Sequence, residues 1–240
     1  MFDALFTTTT EYKKLSHALS GKGACALFGL PASGRAQVYA ALCRQLDKPL
    51  CIVTPGEAEA TRFAADLNTL GIPAAVFPAR DYVLRPIEGT AREYEYRRLA
   101  VLGELVGGRL CAVAVPAEAL TQFTTPKEDF CANTRTLHAG DTLLRDDLLA
   151  ALFGAGYTRR AQVDGPGQFS VRGDIVDIFA PDQKMPVRME FWGDEIDTLH
   201  TFDLTTQRRE DAIDKFYLSP AREVLFGKPA DAAEQLRAFL

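Results

Sequence analysis

Long apolar runs are missing from this chain. None approaches the roughly 20 residues that a membrane-crossing helix needs, and the opening MFDALFTTTTEYKK lacks the basic-then-apolar order of a secretion signal. A cytoplasmic protein without a membrane partner is expected. Cysteine is sparse: Cys25, Cys43, Cys51, Cys111 and Cys131 are odd in number, widely spaced and without a CxxC pair. That excludes a disulfide framework and a zinc site, and leaves reduced, mostly buried thiols. His17, His138 and His200 are isolated, with no spacing that suggests a metal centre or a triad, and GxSxG does not occur. Excess positive charge is absent too. The 27 Lys and Arg against 32 Asp and Glu leave a net charge of −5, which excludes a strongly basic nucleic-acid module although not a local patch. Asp174, Asp177, Asp194, Glu195 and Asp197 lie close in sequence but fall among turns and strand edges, where carboxylates stay solvated. No acid and base pair emerges. We expect no catalytic residues, no metal and no cofactor.

What is present is an ordinary globular composition, 47% hydrophobic and 25% charged over 240 residues, enough for one large domain or two small ones. Residues 11–20 read as a helix and Ala24 to Phe28 as a strand. A helix from about Arg35 to Leu46, a strand from Leu50 to Thr54, a helix from Glu57 to Leu70 and a strand from Ala74 to Phe77 follow. A long helix from about Thr90 to Val106 then leads to a strand from Leu110 to Val115. Apolar strands alternating with helices predict an α/β fold with a mainly parallel sheet covered on both faces. The character changes near Thr124. A strand over Phe130 to His138 and a helix within Asp141 to Gly156, capped at Arg145 or Asp146, precede a β-rich segment. The expected boundaries are 1–125 plus 209–240 for the first domain and 126–208 for a smaller inserted α+β domain. A short helix over Ala230 to Leu240 would end a chain cut from something longer.

Gly29 to Ala36, GLPASGRA, sits between the first expected strand and its helix, with the G-x-x-x-x-G spacing of a phosphate-binding loop. Gly29 and Gly34 fit. Arg35 and Ala36 stand where a working loop has Lys and Ser or Thr, so the point charge for the phosphates and the hydroxyl for magnesium are both lost. Hydrolysis is not expected there, and a plain structural turn is the simpler reading, although a helix N-terminus still admits a weakly held anion.

The most informative stretch is Gly165 to Arg208. Phe169 and Val171 alternate with Ser170 and Arg172, and Val187, Met189 and Phe191 alternate with Arg188 and Glu190, the period-two signature of half-buried strands. Arg172, Arg188 and Glu190 are expected on the solvent side. The Arg172-Gly173-Asp174 adhesion tripeptide is accidental in a cytosolic chain, inside a strand or bulge.

GQFSVRGDIVDIFAP followed by PVRMEFWGDEIDTLHTFDLTTQR resembles the domain 2 segment shared by the nucleotide-excision-repair protein UvrB and the bacterial transcription-repair coupling factor (Mfd) family. The decayed GLPASGRA and the short FPARDYVLRPIEGTAREYEYRRLAVLGEL, with no room for a long DNA-clamping hairpin, resemble the coupling factors more than UvrB. The resemblance implies their N-terminal UvrB-homology module: a degenerate RecA/P-loop-like domain carrying a UvrB-type domain 2 that binds UvrA. It implies contacts with RNA polymerase and double-stranded DNA only through domains outside this chain, and intramolecular packing that hides the UvrA surface. By the same resemblance the UvrA-contacting arginines fall on Arg159, Arg172 and Arg188, and the acidic contact on Glu190. A further family arginine aligns with Ser170. Phe169 would add apolar area, although the alternation favours the core. The competing readings are cross-strand pairs that serve only the sheet, residual nucleotide binding at Gly29 to Ala36, and DNA binding through Arg92, Arg97, Arg98, Tyr94 and Tyr96. Glu93 and Glu95 argue instead for a solvated, salt-bridged helix face.

Overall fold

The computed structural model describes residues 7–21, 24–46, 48–80 and 92–225. The expected helix over 230–240 lies outside them. The chain divides into two compact units: the described residues up to 80 with Glu104–Gln122, and residues 92–103 with those from Phe123 on.

The first unit opens with helix α1 (Thr10–Ser20), started by Thr9, whose side-chain oxygen accepts from the Tyr12 N–H at 3.2 Å. Helix α2 (Ala32–Gln45), strand β1 (Leu50–Thr54), helix α3 (Glu57–Thr69) and strand β2 (Ala74–Val76) follow. After helix α4 (Glu93–Val106) come strand β3 (Ala112–Pro116) and the short helix α5 (Ala117–Leu120). The three strands form a parallel sheet in the order β1-β3-β2. Ala40, Phe63, Leu67 and Ala112 fill its core. All five β3 residues are buried, as expected of a central parallel strand. All five cysteines are free. Cys43 is buried, and burial pushes its thiol up to about 11, so it stays protonated and unreactive. Cys25, Cys51 and Cys131 are exposed, against the expectation of mostly buried thiols.

One expected strand is absent and another is shortened. Residues 24–28 form none, and Phe28 is 89% exposed. Within 130–138 the chain instead forms helix α6 (Lys127–Ala132) and only then strand β4 (Arg135–His138). Pro126 at the helix start, with Glu128 and Asp129 in the first turn facing the positive helix end, outweighs the strand signal of Phe130.

The second unit continues with helix α7 (Arg145–Gly154) and strands β5 (Thr158–Arg159), β6 (Gln168–Arg172), β7 (Ile175–Phe179), β8 (Val187–Trp192), β9 (Glu195–Phe202), β10 (Arg209–Ala212) and β11 (Lys215–Leu218). Strands β10-β9-β8-β7-β6-β5 make a six-stranded sheet, antiparallel except where β5 runs parallel to β6. One face packs Phe169, Val176, Ile178, Val187, Met189 and Phe191 against Leu148 and Leu152 of α7. Strand β11 pairs with β4, adding Phe216 and Leu218 to that core. Residues 209–218 are thus built into the second unit, so the chain does not return to the first at 209 as expected. Gly167 adopts a left-handed backbone (φ 73°), and a Cβ there would lie 2.6 Å from the Tyr96 hydroxyl, so any other residue would be strained and would force the Tyr96 ring to shift.

Candidate functional site: the outer face of the six-stranded sheet

Strand pairing sorts the side chains into rows on the face away from α7. One row runs Arg172, Ile175, Glu190 and Thr198, and the next runs Ser170, Asp177, Arg188 and His200. The expectation that Arg172, Arg188 and Glu190 share a face therefore holds in the register. Their exposure differs from expectation. Arg172 keeps 47% of its side chain in solvent, whereas Arg188 is 8% exposed as a residue and belongs to the buried interior of the face.

Arg188 is buried because two things cover it. Asp177, 1% exposed, accepts from Arg188 Nε at 2.7 Å and from Nη2 at 3.0 Å, a planar two-point pair. The segment after β9 then folds back over the sheet. Asp203 accepts from the Thr206 N–H (2.7 Å) and hydroxyl (2.9 Å), and Gln207 takes a left-handed backbone (φ 59°) that presents its carbonyl to Arg188 Nη1 at 3.2 Å. Val163, Phe179, Phe202 and the half-buried Leu204 form a small second core there, with the guanidinium 4.8 Å from the Phe202 ring centre. The Asp177 hydrogen bonds outweigh burial and hold Arg188 more firmly protonated than usual. Arg172 reaches the same carboxylate at 2.6 Å. Two guanidiniums thus share one carboxylate, and one positive charge remains at the surface.

Glu190 is half-buried and ion-paired with Arg209 of β10. Ser170 is buried, and among the described residues neither its hydroxyl nor His200 Nδ1 has a hydrogen-bond partner. Two hydrogen-bonding groups of this row are therefore left open among the described residues.

Two expected contact residues lie elsewhere. Phe169 is wholly buried on the opposite face, its ring edge-on to Phe153 at 5.2 Å; it is core and offers no contact area. Arg159 is exposed but pairs in register with Phe169, which puts it at the sheet edge on the α7 side. Its neighbour Arg160, whose N–H donates to the Phe169 carbonyl at 2.8 Å, extends the ladder and by alternation stands with Ser170 and Arg172. Asp177, grouped with solvated turn carboxylates in the sequence reading, is the buried hub. Its signal was the single acid inside the apolar run IVDIF, opposite an arginine one strand away.

At Gly29 to Ala36 helix α2 begins at Ala32, and the Arg35 N–H donates to the Pro31 carbonyl at 3.0 Å. A backbone donor that a phosphate nest would use is thus already spent inside the helix. Arg35 lies 3.7 Å from Glu59 and packs over Phe63, and Ala36 is buried. Arg98 is not on a DNA-facing surface either: it is wholly buried and doubly hydrogen-bonded to Glu223, while Arg97 stacks over Tyr94. Among the described residues no group of His, Cys, Asp and Glu is placed to hold a metal ion, and no helix is long and apolar enough to cross a membrane.

These features define a class: a two-unit α/β protein whose second unit carries ion-paired arginines across one face of a β-sheet. Residues 136–224 match the UvrB interaction domain, and the chain is a module like those of transcription-repair-coupling factors and UvrB. It is 28% identical to the transcription-repair-coupling factor of Bacillus subtilis over 88% of its length and 35% identical to that of Myxococcus xanthus over 82%. It is also 28% identical to the UvrABC system protein B of Chlorobium limicola over 88% of its length. The chain spans 18%, 17% and 32% of those proteins respectively.

Proposed function

We propose that this module is a non-catalytic docking unit that binds UvrA through the outer face of the six-stranded sheet. The observation that carries the reading is the Arg172–Asp177–Arg188 cluster, which fixes an exposed arginine and leaves it a net positive charge on a domain matching the UvrB interaction domain. Arg172 is the primary contact. Glu190 and Arg209 offer a second, mixed-charge point, and Arg159 contributes only from the sheet edge. Arg188 acts from behind, holding Asp177 and so Arg172. Arginine suits this role because its planar fork pairs with carboxylates while its stem covers apolar area.

In a protein of coupling-factor length, such docking would recruit excision repair to a stalled RNA polymerase, with the translocase, polymerase and DNA contacts made by other domains. Arg172→Glu is expected to weaken UvrA binding about thirtyfold or more, the size of an interface hot spot, with the circular dichroism spectrum unchanged. Calorimetric titration would measure it, and unaltered affinity would sink the reading. The nucleotide alternative at Gly29 to Ala36 has its own check. Titration with millimolar Mg-ATP is expected to give no binding heat, because the Arg35 N–H is engaged and no hydroxyl at Ala36 awaits magnesium.

A further inference from the structure

We infer that Trp192 is the apolar anchor of this docking face and that it selects a partner surface offering an apolar socket with a basic rim. The inference rests on the docking reading above but concerns a residue which that reading does not use. Trp192 is the only tryptophan in the chain and is 83% exposed. It ends β8, just before Gly193, whose left-handed backbone (φ 63°) makes the tight turn into β9. The register with β9 shifts by one residue between Glu190 and Phe191, but β8 keeps its own alternation, with Phe191 buried in the core and Trp192 exposed, so the indole leaves the strand on the face of Glu190, which pairs with Ile175. The neighbouring β6–β7 turn closes against it, since the Phe191 N–H donates to the Asp174 carbonyl at 2.8 Å. The backbone that carries the indole is thus held on both sides, so ordering on binding falls on the two side-chain torsions of Trp192 alone.

Nothing in the sheet itself requires an aromatic ring here. The core beneath is complete with Phe191 and Ile196, and Trp192 pairs in register with exposed Glu195. Its surroundings are mainly acidic. Asp174 is 79% exposed at its side chain, with Arg145 paired to it at 3.3 Å, and Asp194, Glu195 and Asp197 are exposed as well, so acid exceeds base around the indole. On the other side lies the surplus positive charge of the Arg172 cluster. A complementary partner is a folded protein with an apolar socket for the indole, Lys or Arg around the socket, and a carboxylate placed to meet Arg172. Trp and Arg are among the residue types most enriched at interface hot spots, and this face presents both.

The test uses the whole 240-residue chain with purified UvrA as the probe. Trp192→Ala is expected to weaken binding about thirtyfold, Trp192→Phe to keep most of the affinity, and neither to move the thermal unfolding midpoint. In chain labelled with 5-hydroxytryptophan, which can be excited apart from the tryptophans of UvrA, complex formation is expected to shield the single label from acrylamide quenching. If Arg172→Glu loses binding while Trp192→Ala binds as tightly as wild type and the label stays quenchable, the anchor is overturned and the docking reading stands. If wild-type chain does not bind UvrA, the docking reading falls and the anchor with it.

Discussion

Arg188→Glu is expected to destabilise the second unit strongly rather than merely remove a contact. The substitution takes a buried cation from Asp177, which is 1% exposed, and sets a second carboxylate against it beneath the Gln207 segment. Removing one partner of a buried ion pair costs about 3–5 kcal/mol, and domain stabilities are about 5–15 kcal/mol. Arg172 softens the loss because it also holds Asp177, but it is half in water and screened. Urea unfolding followed by circular dichroism should show a marked fall in midpoint; a midpoint within error of wild type would contradict the buried cluster. The paired replacement Asp177→Leu with Arg188→Met should recover most of the stability, since apolar groups of similar volume often replace buried ion pairs without penalty. It should still bind UvrA poorly, because Arg172 has then lost the carboxylate that aims it. Stability and docking would be separated in one protein.

Arg98→Ala is expected to have a similarly large effect from a different place. Arg98 is 0% exposed, and its Nε and Nη2 donate to the Glu223 carboxylate at 2.8 and 2.7 Å. Glu223 is further fixed by its own N–H donating to Glu95 at 2.9 Å and by its carbonyl, which accepts from the Thr125 hydroxyl. The pair ties helix α4 to the chain beyond β11. Truncating the arginine removes the two-point partner of a buried carboxylate, a loss of about 3–5 kcal/mol, read as the shift in the urea transition of the second unit. A change below about 1 kcal/mol would mean that Glu223 finds water or another partner there.

Much of this was legible in the residues. Strand β1 and helix α3 stand close to where apolar run and helical period put them, and the alternation through β6 and β8 gave the two faces correctly, with Phe169 on the core side. What it could not give was cover. Period two says which side chains point away from the core, but the Leu204 and Gln207 segment that buries Arg188 comes from a loop with no periodicity. Register was equally invisible: Arg159 and Arg160 differ by one residue, and only the pairing of β5 with Phe169 decides which joins Arg172. Residues 24–28 carry an apolar run of strand length yet form no strand, because short apolar runs signal burial without fixing a partner. The expected boundary at 209 followed the end of the charged motif, whereas the chain's own pairing of β11 with β4, far apart in sequence, carries the unit onward.

That pairing also sets an order of events during synthesis. Strand β4 at Arg135–His138 has no partner until Lys215–Leu218 has been made, and Arg98 waits 125 residues for Glu223. Long-range closure of this kind is slow compared with local pairing. The hairpins from β6 to β9 can form early, while Leu137 and the buried guanidinium of Arg98 stay open to solvent until the last strand arrives. A nascent chain paused before residue 215 would therefore expose an unpaired strand edge beside apolar surface, the state in which chaperones and proteases find their clients.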